Sequence, residues 1–485
     1  MRDYSLIYLN GVRKEVRGRE ALLMLADWLR KEVGLTGTKI VCAEGDCGAC
    51  TVLRAFPKFK EAPLHFEAMN SCIATVAQMD GSHLVTIEGI QNGKNLSPMQ
   101  KAMRECHGSQ CGYCTPGFVM ALMGALEKHS SLDAKTACNY LTGNLCRCTG
   151  YQPIIDAALK AKATDEHSVS KRYLKTEATR DLIYHQKEPL QFQWGQTTFC
   201  APVSLAEAVQ FADAHPGFRV VGAATDMGVQ TNKGKPLPKA LLSLHLIPGL
   251  YEIRKEDSRI VVGARVSLSR LRREAQKTNP EFASYLDLFA SPQIKNVATL
   301  VGNVATGSPI GDTLPFLMVS DGKVHVASFD SKQKTVQTRD ISFSVLFEGY
   351  RKLAIQPNEI ITHISFESTP AERFLKLYKV SQRKDLDIST VSGAFLLKVS
   401  PTGKNKKIEE LRIAFGGVAA TPVRLGSVEK ALQGKELSVK IFEEGADLIG
   451  KTIQPLTDLR GTHNYRKVLA MNLFKKYGSE VLRGQ

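Results

Sequence analysis

The sequence lacks any long apolar segment, and it also lacks the features of a secreted protein. Although 43% of its 485 residues are hydrophobic, no apolar run approaches the roughly 18 residues that a membrane-spanning helix needs. The longest run, around Phe118 to Leu126, is far shorter and contains Gly124. Asp3 and Asn10 interrupt the amino-terminal segment, and no small-residue cleavage site follows it, so no signal peptide is predicted. We therefore expect a cytoplasmic protein with no membrane partner.

Several nucleotide-binding and protease motifs are also missing. The chain has no G-x-G-x-x-G sequence and no H-E-x-x-H sequence. Gly228 with Gly234-Lys235 misses the spacing of a phosphate-binding P-loop and has no Ser or Thr after the lysine. The 11 histidines show no ligand-like pairing. These absences give no support to a G-x-G-x-x-G dinucleotide-binding fold, a P-loop fold or a zinc protease.

A concentrated basic region is absent, although the chain carries a formal net charge of +16 from 64 basic and 48 acidic residues. The excess is spread along the chain, with no block of Lys and Arg and no basic helix interleaved with exposed aromatics. We therefore expect no nucleic-acid partner. A basic protein, or one that meets an acidic partner surface, fits this charge better.

Local patterns predict an α+β protein of several domains. Asn10-Gly11 between two short strands indicates a type I′ hairpin. Apolar residues at helical spacing from Leu22 to Leu29 predict a helix that Gly34 terminates. Ser97-Pro98 and Thr115-Pro116 are each typical of an N-cap followed by proline in the first turn.

Helices are predicted near 98–106, 116–128, 133–141 and 153–162. A charged segment with few periodic apolar positions follows, and it is interpreted as an interdomain linker. The predicted divisions are 1–90 (α+β), 91–163 (helical), 164–193 (linker), 194–370 (mixed short strands and helices) and 371–485 (α+β).

Eight of the 11 cysteines form two groups that point to metal binding rather than to disulfides. The first group has the C-x4-C-x2-C spacing with a distant fourth cysteine, which is the spacing of plant-type [2Fe-2S] proteins. Gly45 and Gly48 would let backbone N–H groups turn toward the sulfurs. The first cysteine group consists of Cys42, Cys47, Cys50 and Cys72.

The second group combines C-x2-C with C-x-C at the ends of two predicted helices. Taken alone, it is compatible with an iron–sulfur cluster, with a zinc site, or with a redox pair at the C-x-x-C. Its position beside the first group favours iron–sulfur. The second cysteine group consists of Cys111, Cys114, Cys146 and Cys148. Cys106, Cys138 and Cys200 are interpreted as buried small hydrophobic residues.

The strings around these cysteines resemble the molybdenum hydroxylase family, which includes xanthine dehydrogenases, aldehyde oxidases and CO dehydrogenases. They are CAEGDCGACTV (42–52), GSQCGYCTPGF (108–118) and LTGNLCRCTGY (141–151). The resemblance implies a ferredoxin-like β-grasp domain that holds one [2Fe-2S] cluster and a four-helix domain that holds another. Gln110 matches a glutamine that in this family approaches the pterin of the molybdenum cofactor.

The remainder of the chain resembles the FAD-binding (PCMH-type) domain and the C-terminal flavoprotein domain of the same family. VVGAATDMG (220–228) and ATLVGNVATGSPIGD (298–312) match its two flavin loops, with Ala223 and Val301 where glycine is common. The resemblance assigns flavin contacts to Val220, Val221, Gly222, Ala223, Ala224, Thr225, Asp226, Met227, Phe289, Thr299, Leu300, Val301, Gly302, Asn303, Asp312, Ile361 and Lys379.

Within the family, iron–sulfur and flavin parts fused on one chain resemble the small subunit of bacterial xanthine dehydrogenases. This implies an NAD-dependent oxidoreductase of purine metabolism, with two [2Fe-2S] clusters and FAD on this chain and molybdopterin on a large partner subunit in an (αβ)2 heterotetramer. No residue of this chain is expected to be catalytic in purine hydroxylation. Two alternatives stay open: the same role in an aldehyde or N-heterocycle hydroxylase, and a non-catalytic iron–sulfur carrier.

Overall fold

The structure is a computed structural model that describes residues 1–57, 64–370, 372–400 and 406–484. The protein is α+β throughout, as predicted. In the residues so described, no helix combines the length and the apolar character needed to cross a bilayer.

The strands are numbered in chain order. They are β1 (Tyr4–Leu9), β2 (Val12–Arg17), β3 (Thr51–Ala55), β4 (Glu67–Asn70), β5 (Ser82–Val85), β6 (Leu190–Trp194), β7 (Thr197–Ala201), β8 (Arg219–Val221), β9 (Ala240–Ser243), β10 (Ile253–Glu256), β11 (Arg259–Gly263), β12 (Lys323–Asp330), β13 (Thr335–Ser342), β14 (Phe347–Gly349), β15 (Lys352–Leu353), β16 (Ile360–Glu367), β17 (Arg373–Val380), β18 (Val391–Val399), β19 (Ile408–Gly416) and β20 (Val423–Arg424).

The α-helices are numbered in the same way. They are α1 (Gly18–Leu22), α2 (Leu25–Lys31), α3 (Pro98–Glu105), α4 (Thr115–Leu126), α5 (Ala134–Leu141), α6 (Gln152–Lys160), α7 (Val169–Tyr173), α8 (Thr176–His185), α9 (Leu205–Ala214), α10 (Met227–Asn232), α11 (Leu268–Thr278), α12 (Pro280–Tyr285), α13 (Pro292–Lys295), α14 (Leu300–Ala305), α15 (Leu314–Val319), α16 (Gly426–Leu432), α17 (Val439–Thr452) and α18 (His463–Arg483).

The chain forms two compact units, and each is described by itself. The first unit consists of residues 1–251, 290–298 and 329–335, and the second unit consists of 252–289, 299–328 and 336–485.

The amino-terminal sheet of the first unit has the strand order β2-β1-β5-β3-β4. The predicted hairpin is confirmed: Asn10 and Gly11 both have positive φ, at 50° and 88°, as a type I′ turn requires. β1 pairs antiparallel with β2 and parallel with β5. The inner face of this sheet packs on α2, whose Trp28 and Leu29 are buried.

The single helix predicted from Leu22 to Leu29 is wrong, because the backbone is extended at Leu23 and Met24 between α1 and α2. The Leu25 N–H donates to the Ala74 carbonyl at 2.7 Å, and the Leu23 carbonyl accepts from Val76 at 3.0 Å. Pairing with the segment beside Cys72 thus interrupts the helix at these two residues. Gly34 has φ +82° and follows α2, as predicted.

The four predicted helices of the next segment are confirmed as α3, α4, α5 and α6. Ser97 caps α3 through a complete capping box with Gln100. The N-cap predicted at Thr115 is wrong: α4 begins one residue earlier, with Cys114 in the capping position. The Thr115 hydroxyl instead donates to Ser109 Oγ at 2.8 Å. α4 is buried almost throughout its length and forms the centre of this hydrophobic core.

The segment 164–193, predicted as a linker, contains α7, α8 and the start of β6. Tyr173 packs on the buried ring of His83. The Asp181 carboxylate accepts hydrogen bonds from Tyr8 and Arg13, each at 2.9 Å. These contacts hold the segment against the amino-terminal sheet.

Three larger sheets complete the fold. The first unit contains the sheet β6-β7-β9-β8, in which β9 runs parallel to both of its neighbours. The second unit contains β10-β11-β16-β12-β13, apart from the turn at 329–335, together with β17-β18-β19-β20 and the small β14-β15 pair. Helices α16, α17 and α18 share a core with the β17–β20 sheet, around Phe395 and Phe474.

Candidate metal and cofactor sites

The first cysteine group lies on a tight loop between α2 and β3 and on the short helical turn that contains Cys72. Ala43, Gly45 and Gly48 all have positive φ, at 54°, 75° and 66°. This conformation curls the loop around its sulfurs, and it is one that glycine adopts at no steric cost. Cys47, Cys50 and Cys72 are buried, and Cys42 is half-buried.

Backbone amides of this loop point at sulfur. The N–H groups of Glu44 and Cys47 each donate to Cys42 Sγ at 3.4 Å. Hydrogen bonds from the Cys47 and Cys72 thiols lower the pKa of Cys42 below its ordinary range, and hydrogen bonds with Cys42 and Cys50 raise the pKa of Cys72. The two N–H groups therefore stabilise negative charge on Cys42 Sγ, and the thiolate is the form of cysteine that binds metal.

Two asparagines brace the first group from outside. Asn70, which is buried, donates to the Gly45 carbonyl at 2.6 Å. Asn232, at the end of α10, donates to the carbonyls of Ala43 and Cys72 at 2.7 and 2.8 Å. The loop is thus held by side chains from two other parts of the first unit.

The second cysteine group lies at the start of α4 and just before α6. Cys148 Sγ is 3.6 Å from Cys111 Sγ. Burial, and then a hydrogen bond with Cys146, raise the pKa of Cys114 to about 12. Burial opposes ionisation of Cys146, but hydrogen bonds from Thr149 outweigh it and lower the pKa of this thiol. The Thr149 hydroxyl lies 3.2 Å from Cys146 Sγ.

The thiols of the second group thus form two pairs, Cys111 with Cys148 and Cys114 with Cys146. Two thiolates on one tetrahedral metal with bonds of about 2.3 Å lie roughly 3.7 Å apart, which matches the distance between Cys111 and Cys148. Two such pairs are the donor set of a diiron cluster, which takes two thiolates on each iron. Across the described ranges, no three His, Cys, Asp or Glu side chains converge on a position for a single metal ion.

The two cysteine groups are joined directly through the backbone. The Leu145 N–H, next to Cys146, donates to the Cys47 carbonyl at 3.0 Å. A Cβ on Gly48 would collide with the Gly143 carbonyl, and a Cβ on Gly117 would collide with the Gly48 carbonyl. Glycine at these positions allows the loop of the first group to lie against the segment before Cys146.

The other three cysteines do not share one environment. Cys200 is buried as predicted, and Cys106 is half-buried against the helical core. The interpretation of Cys138 as buried is wrong, because it is exposed on α5. Ala137 and Leu141 turn inward at helical spacing, which leaves Cys138 on the outer face.

The first predicted flavin loop, Val220–Met227, lies in the first unit between β8 and α10. Ala224 has φ +56° although it is not glycine, and the Gly228 N–H donates to its carbonyl at 2.6 Å. Val220 is 42% exposed, whereas Val221 is buried. A Cβ on Gly228 would collide with the Ile73 carbonyl. The loop therefore leads directly into a helix that packs against the first cysteine group.

The second predicted flavin loop lies in the second unit and contains α14. The Thr299 hydroxyl caps α14 by accepting from the Gly302 N–H at 3.0 Å. Val301 is buried inside this helix, so its replacement of a common glycine does not require positive φ. Gly307 has φ +61° and ends the turn. The Asn303 side chain accepts from the Thr313 hydroxyl at 2.6 Å.

Asp312 and Lys379 form a buried ion pair in the second unit. Lys379 Nζ lies 2.7 Å from Asp312 Oδ2, with the two side chains 5% and 9% exposed. The other carboxylate oxygen accepts from the Ser389 hydroxyl at 2.5 Å. The pair joins the second flavin loop to β17. Two other predicted contacts also lie in this unit: Ile361 is buried in β16, and Phe289 is partly exposed.

Sequence reasoning missed three polar side chains: Asn144, Asn232 and Gln293. Each hydrogen-bonds a residue far away in the sequence. Only Asn144 could have been identified from the sequence, because it lies within the string LTGNLCRCTGY (141–151), which contains Cys146 and Cys148.

Family models describe three segments of the chain. Residues 86–159 match the [2Fe-2S] binding domain, residues 191–366 the FAD binding domain in molybdopterin dehydrogenase, and residues 376–481 the CO dehydrogenase flavoprotein C-terminal domain. The chain therefore matches, in order, a [2Fe-2S] binding segment, an FAD-binding segment of the molybdopterin dehydrogenase type and a flavoprotein C-terminal segment.

The curated proteins similar to this chain include xanthine dehydrogenases. That of Drosophila subobscura is 31% identical over 97% of this chain, and xanthine dehydrogenase 1 of Arabidopsis thaliana is 29% identical over 98%. The chain spans 39% of the length of each of these relatives.

Two solved structures share the fold. Carbon monoxide dehydrogenase from Hydrogenophaga pseudoflava aligns with a TM-score of 0.53 and 24% identity, over 57% of this chain and 94% of that chain. Quinoline 2-oxidoreductase from Pseudomonas putida 86 aligns with a TM-score of 0.53 and 22% identity, over 59% and 96%.

Proposed function

We propose that this chain is the electron-transfer part of a xanthine dehydrogenase. It would receive electrons from a molybdenum centre that oxidises hypoxanthine to xanthine and xanthine to urate. Those electrons would pass through the second cysteine group and then the first, and through FAD to NAD+. The observation that carries the proposal is the likeness to xanthine dehydrogenases along nearly the whole chain.

The arrangement of the first unit supports this order of transfer. The two cysteine groups meet at the hydrogen bond between Leu145 and Cys47. The first group in turn contacts α10, which follows the first flavin loop. When bound, FAD would exchange one electron at a time with iron–sulfur clusters and a hydride with NAD+. The chain's own residues hold the cofactors at fixed separations and exclude water from the buried thiolates.

The molybdenum centre is proposed to lie on a partner subunit, in an (αβ)2 heterotetramer. The chain spans 39% of the length of these relatives, and substrate oxidation is proposed to belong to the part of them that this chain does not match. The proposal also keeps the assembly in the cytoplasm, where a reducing environment leaves thiols free to bind iron.

A spectrum and a dye-reduction assay of the purified chain test the electron-transfer role. We expect flavin and iron–sulfur absorption together, about four irons and no zinc per chain, and NADH-driven reduction of an artificial acceptor. A protein that binds iron but neither binds FAD nor oxidises NADH would be a carrier, and the proposal would be wrong.

Substrate and acceptor are tested in the complex with the molybdenum-containing subunit. We expect turnover of hypoxanthine and xanthine that depends on NAD+ under anaerobic conditions. If the complex oxidised aldehydes or other N-heterocycles in preference to purines, the proposed substrate would be wrong and one of these would take its place. Turnover in air that is independent of NAD+ would overturn the assignment of the acceptor.

A further inference from the structure

A chain of buried amide contacts lies where the two cysteine groups meet. Asn144 Nδ2 donates to the Gly48 carbonyl at 3.3 Å, and Gln293 Nε2 donates to Asn144 Oδ1 at 2.7 Å. Asn144 is 2% exposed and Gln293 is fully buried. Gly48 follows Cys47 directly, and Asn144 is two residues from Cys146. The amide chain therefore runs beside the Leu145–Cys47 hydrogen bond.

We propose that Asn144 and Gln293 are positioning residues that fix the separation of the two cysteine groups, and so the rate of electron transfer between their clusters. The inference rests on the proposed function, because it takes both groups to hold [2Fe-2S] clusters. It assigns a role to α13, which brings Gln293 to this point from a part of the chain that contains no cysteine.

The packing around the pair leaves little room for any other arrangement. A Cβ on Gly143 would collide with Gln293 Oε1, and a Cβ on Gly48 would come within 2.5 Å of Asn144 Nδ2. Both amides are enclosed, and neither can exchange its partner for bulk water without moving the backbone. Rotation of either side chain would therefore break a hydrogen bond in the series that ends at the Gly48 carbonyl, which is adjacent in sequence to the Cys47 carbonyl that accepts from Leu145.

The chemistry of the amide group suits this role. An amide donates and accepts hydrogen bonds without a net charge, so the pair can fix a distance while adding no charge beside the clusters. Transfer of one electron oxidises a ferrous iron of one cluster and reduces a ferric iron of the other. No bond is formed or broken, and no proton donor is required, so geometry is what the protein must supply.

Three variants of the full chain separate the contacts. Asn144→Ala removes both side-chain hydrogen bonds of this residue. Asn144→Asp keeps an acceptor for Gln293 but loses the donor to Gly48, and Gln293→Ala removes only the hydrogen bond between Gln293 and Asn144. Asn139→Ala is the matched control, because Asn139 is an exposed asparagine of the same helical domain.

Two measurements on the cluster-loaded protein test the proposal. One is the magnetic interaction between the reduced clusters by electron paramagnetic resonance, and the other is the rate of electron transfer between them after rapid reduction. We expect Asn144→Ala to weaken the interaction and to slow transfer by about tenfold, with iron content unchanged. Gln293→Ala should give a smaller effect in the same direction, and Asn139→Ala should give none. Asn144→Asp should have an effect at least as large as that of Asn144→Ala, because it places a buried carboxylate against the Gly48 carbonyl.

The outcomes distinguish this inference from the proposed function. If Asn144→Ala and Gln293→Ala retain both clusters with unaltered magnetic interaction and transfer rate, the positioning role is wrong and the electron-transfer role stands. If the unmodified chain holds fewer than two clusters, the proposed function fails first. If Asn144→Ala loses iron, the test depends on Gln293→Ala and Asn144→Asp. An unchanged magnetic interaction between the clusters in both of these variants would overturn the inference.

Discussion

Single buried polar residues determine how the second predicted flavin loop is held. The carboxylate of Asp312 accepts from Lys379 and from Ser389, and both members of the ion pair are nearly inaccessible. Breaking a buried pair by removing one partner costs more than the pair contributes, because a buried charge is left without compensation.

We expect Asp312→Asn to lower the free energy of unfolding of the second unit by about 3–5 kcal/mol and to reduce the bound FAD. Urea unfolding and flavin content of the purified variant measure these effects. Asp321→Asn is the control: its carboxylate is half-exposed and 4.0 Å from Arg259, so its effect should stay within roughly 0.5 kcal/mol. Equal losses in the two variants would contradict the role given to the ion pair.

His83 gives the first unit a dependence on pH. Burial lowers the pKa of His83 to about 4, and the ring accepts from the Gly11 N–H at 3.2 Å in its neutral form. The unfolded chain takes up the proton near pH 6.5 and the folded chain only near pH 4. The contribution of His83 to the free energy of unfolding is therefore fully present above pH 6.5 and decreases as the pH drops toward 4.

Between pH 7 and pH 5, we expect His83 to account for a loss of roughly 2 kcal/mol in the free energy of unfolding. Denaturant unfolding at both pH values measures it. The loss should shrink in His83→Gln and persist in His129→Gln, since His129 is exposed. An unchanged pH dependence in His83→Gln would show that other groups are responsible.

At the scale of elements, α10 connects the first predicted flavin loop to the first cysteine group. Gly228 lies against the carbonyl of Ile73, next to Cys72. Asn232, one turn further along, donates to the Cys72 carbonyl. The helix can therefore move only if the turn that carries Cys72 moves with it.

Gly228→Ala is expected to displace α10, at a cost of about 1–3 kcal/mol, and to lower both FAD and iron content. Absorbance and metal analysis of the purified variant test this. Gly249→Ala serves as the control, because a Cβ there meets no atom within 4 Å. Normal loading of both cofactors in Gly228→Ala would mean that the loop and the cysteine group are independent.

Local patterns predicted the elements whose cause is local. The Asn10-Gly11 turn and the helices α3 to α6 follow from turn chemistry, proline position and apolar spacing. The break at Leu23–Met24 could not be predicted in this way, because the backbone partners are Ala74 and Val76. The exposed position of Cys138 depends on which face of α5 packs inward, which its neighbours alone do not determine.

The candidate sites divide in the same way. Cysteine spacing predicted the two groups, and the structure brings Cys111 and Cys148 together at 3.6 Å. The asparagines and the glutamine around them could not be predicted, because Gln293 and Asn144 are 149 residues apart and no spacing rule relates them. Polar residues that hold other residues in place by hydrogen bonds do not belong to a recognisable sequence motif.

At the scale of the whole molecule, the proposed electron transfer requires two separate clusters on one chain. Each cysteine group presents thiols and hydrogen-bond donors suited to metal, and the Leu145–Cys47 hydrogen bond connects them. With one cluster alone, the proposed path of electrons from the molybdenum centre to FAD would be interrupted.

Electron paramagnetic resonance of the chemically reduced chain at low temperature tests this claim most directly. We predict two distinct [2Fe-2S] signals that together integrate to about two spins per chain. Replacing Cys148 by serine should alter one of them, and replacing Cys42 by serine should alter the other. A single signal, or one signal that responds to both substitutions, would contradict the account.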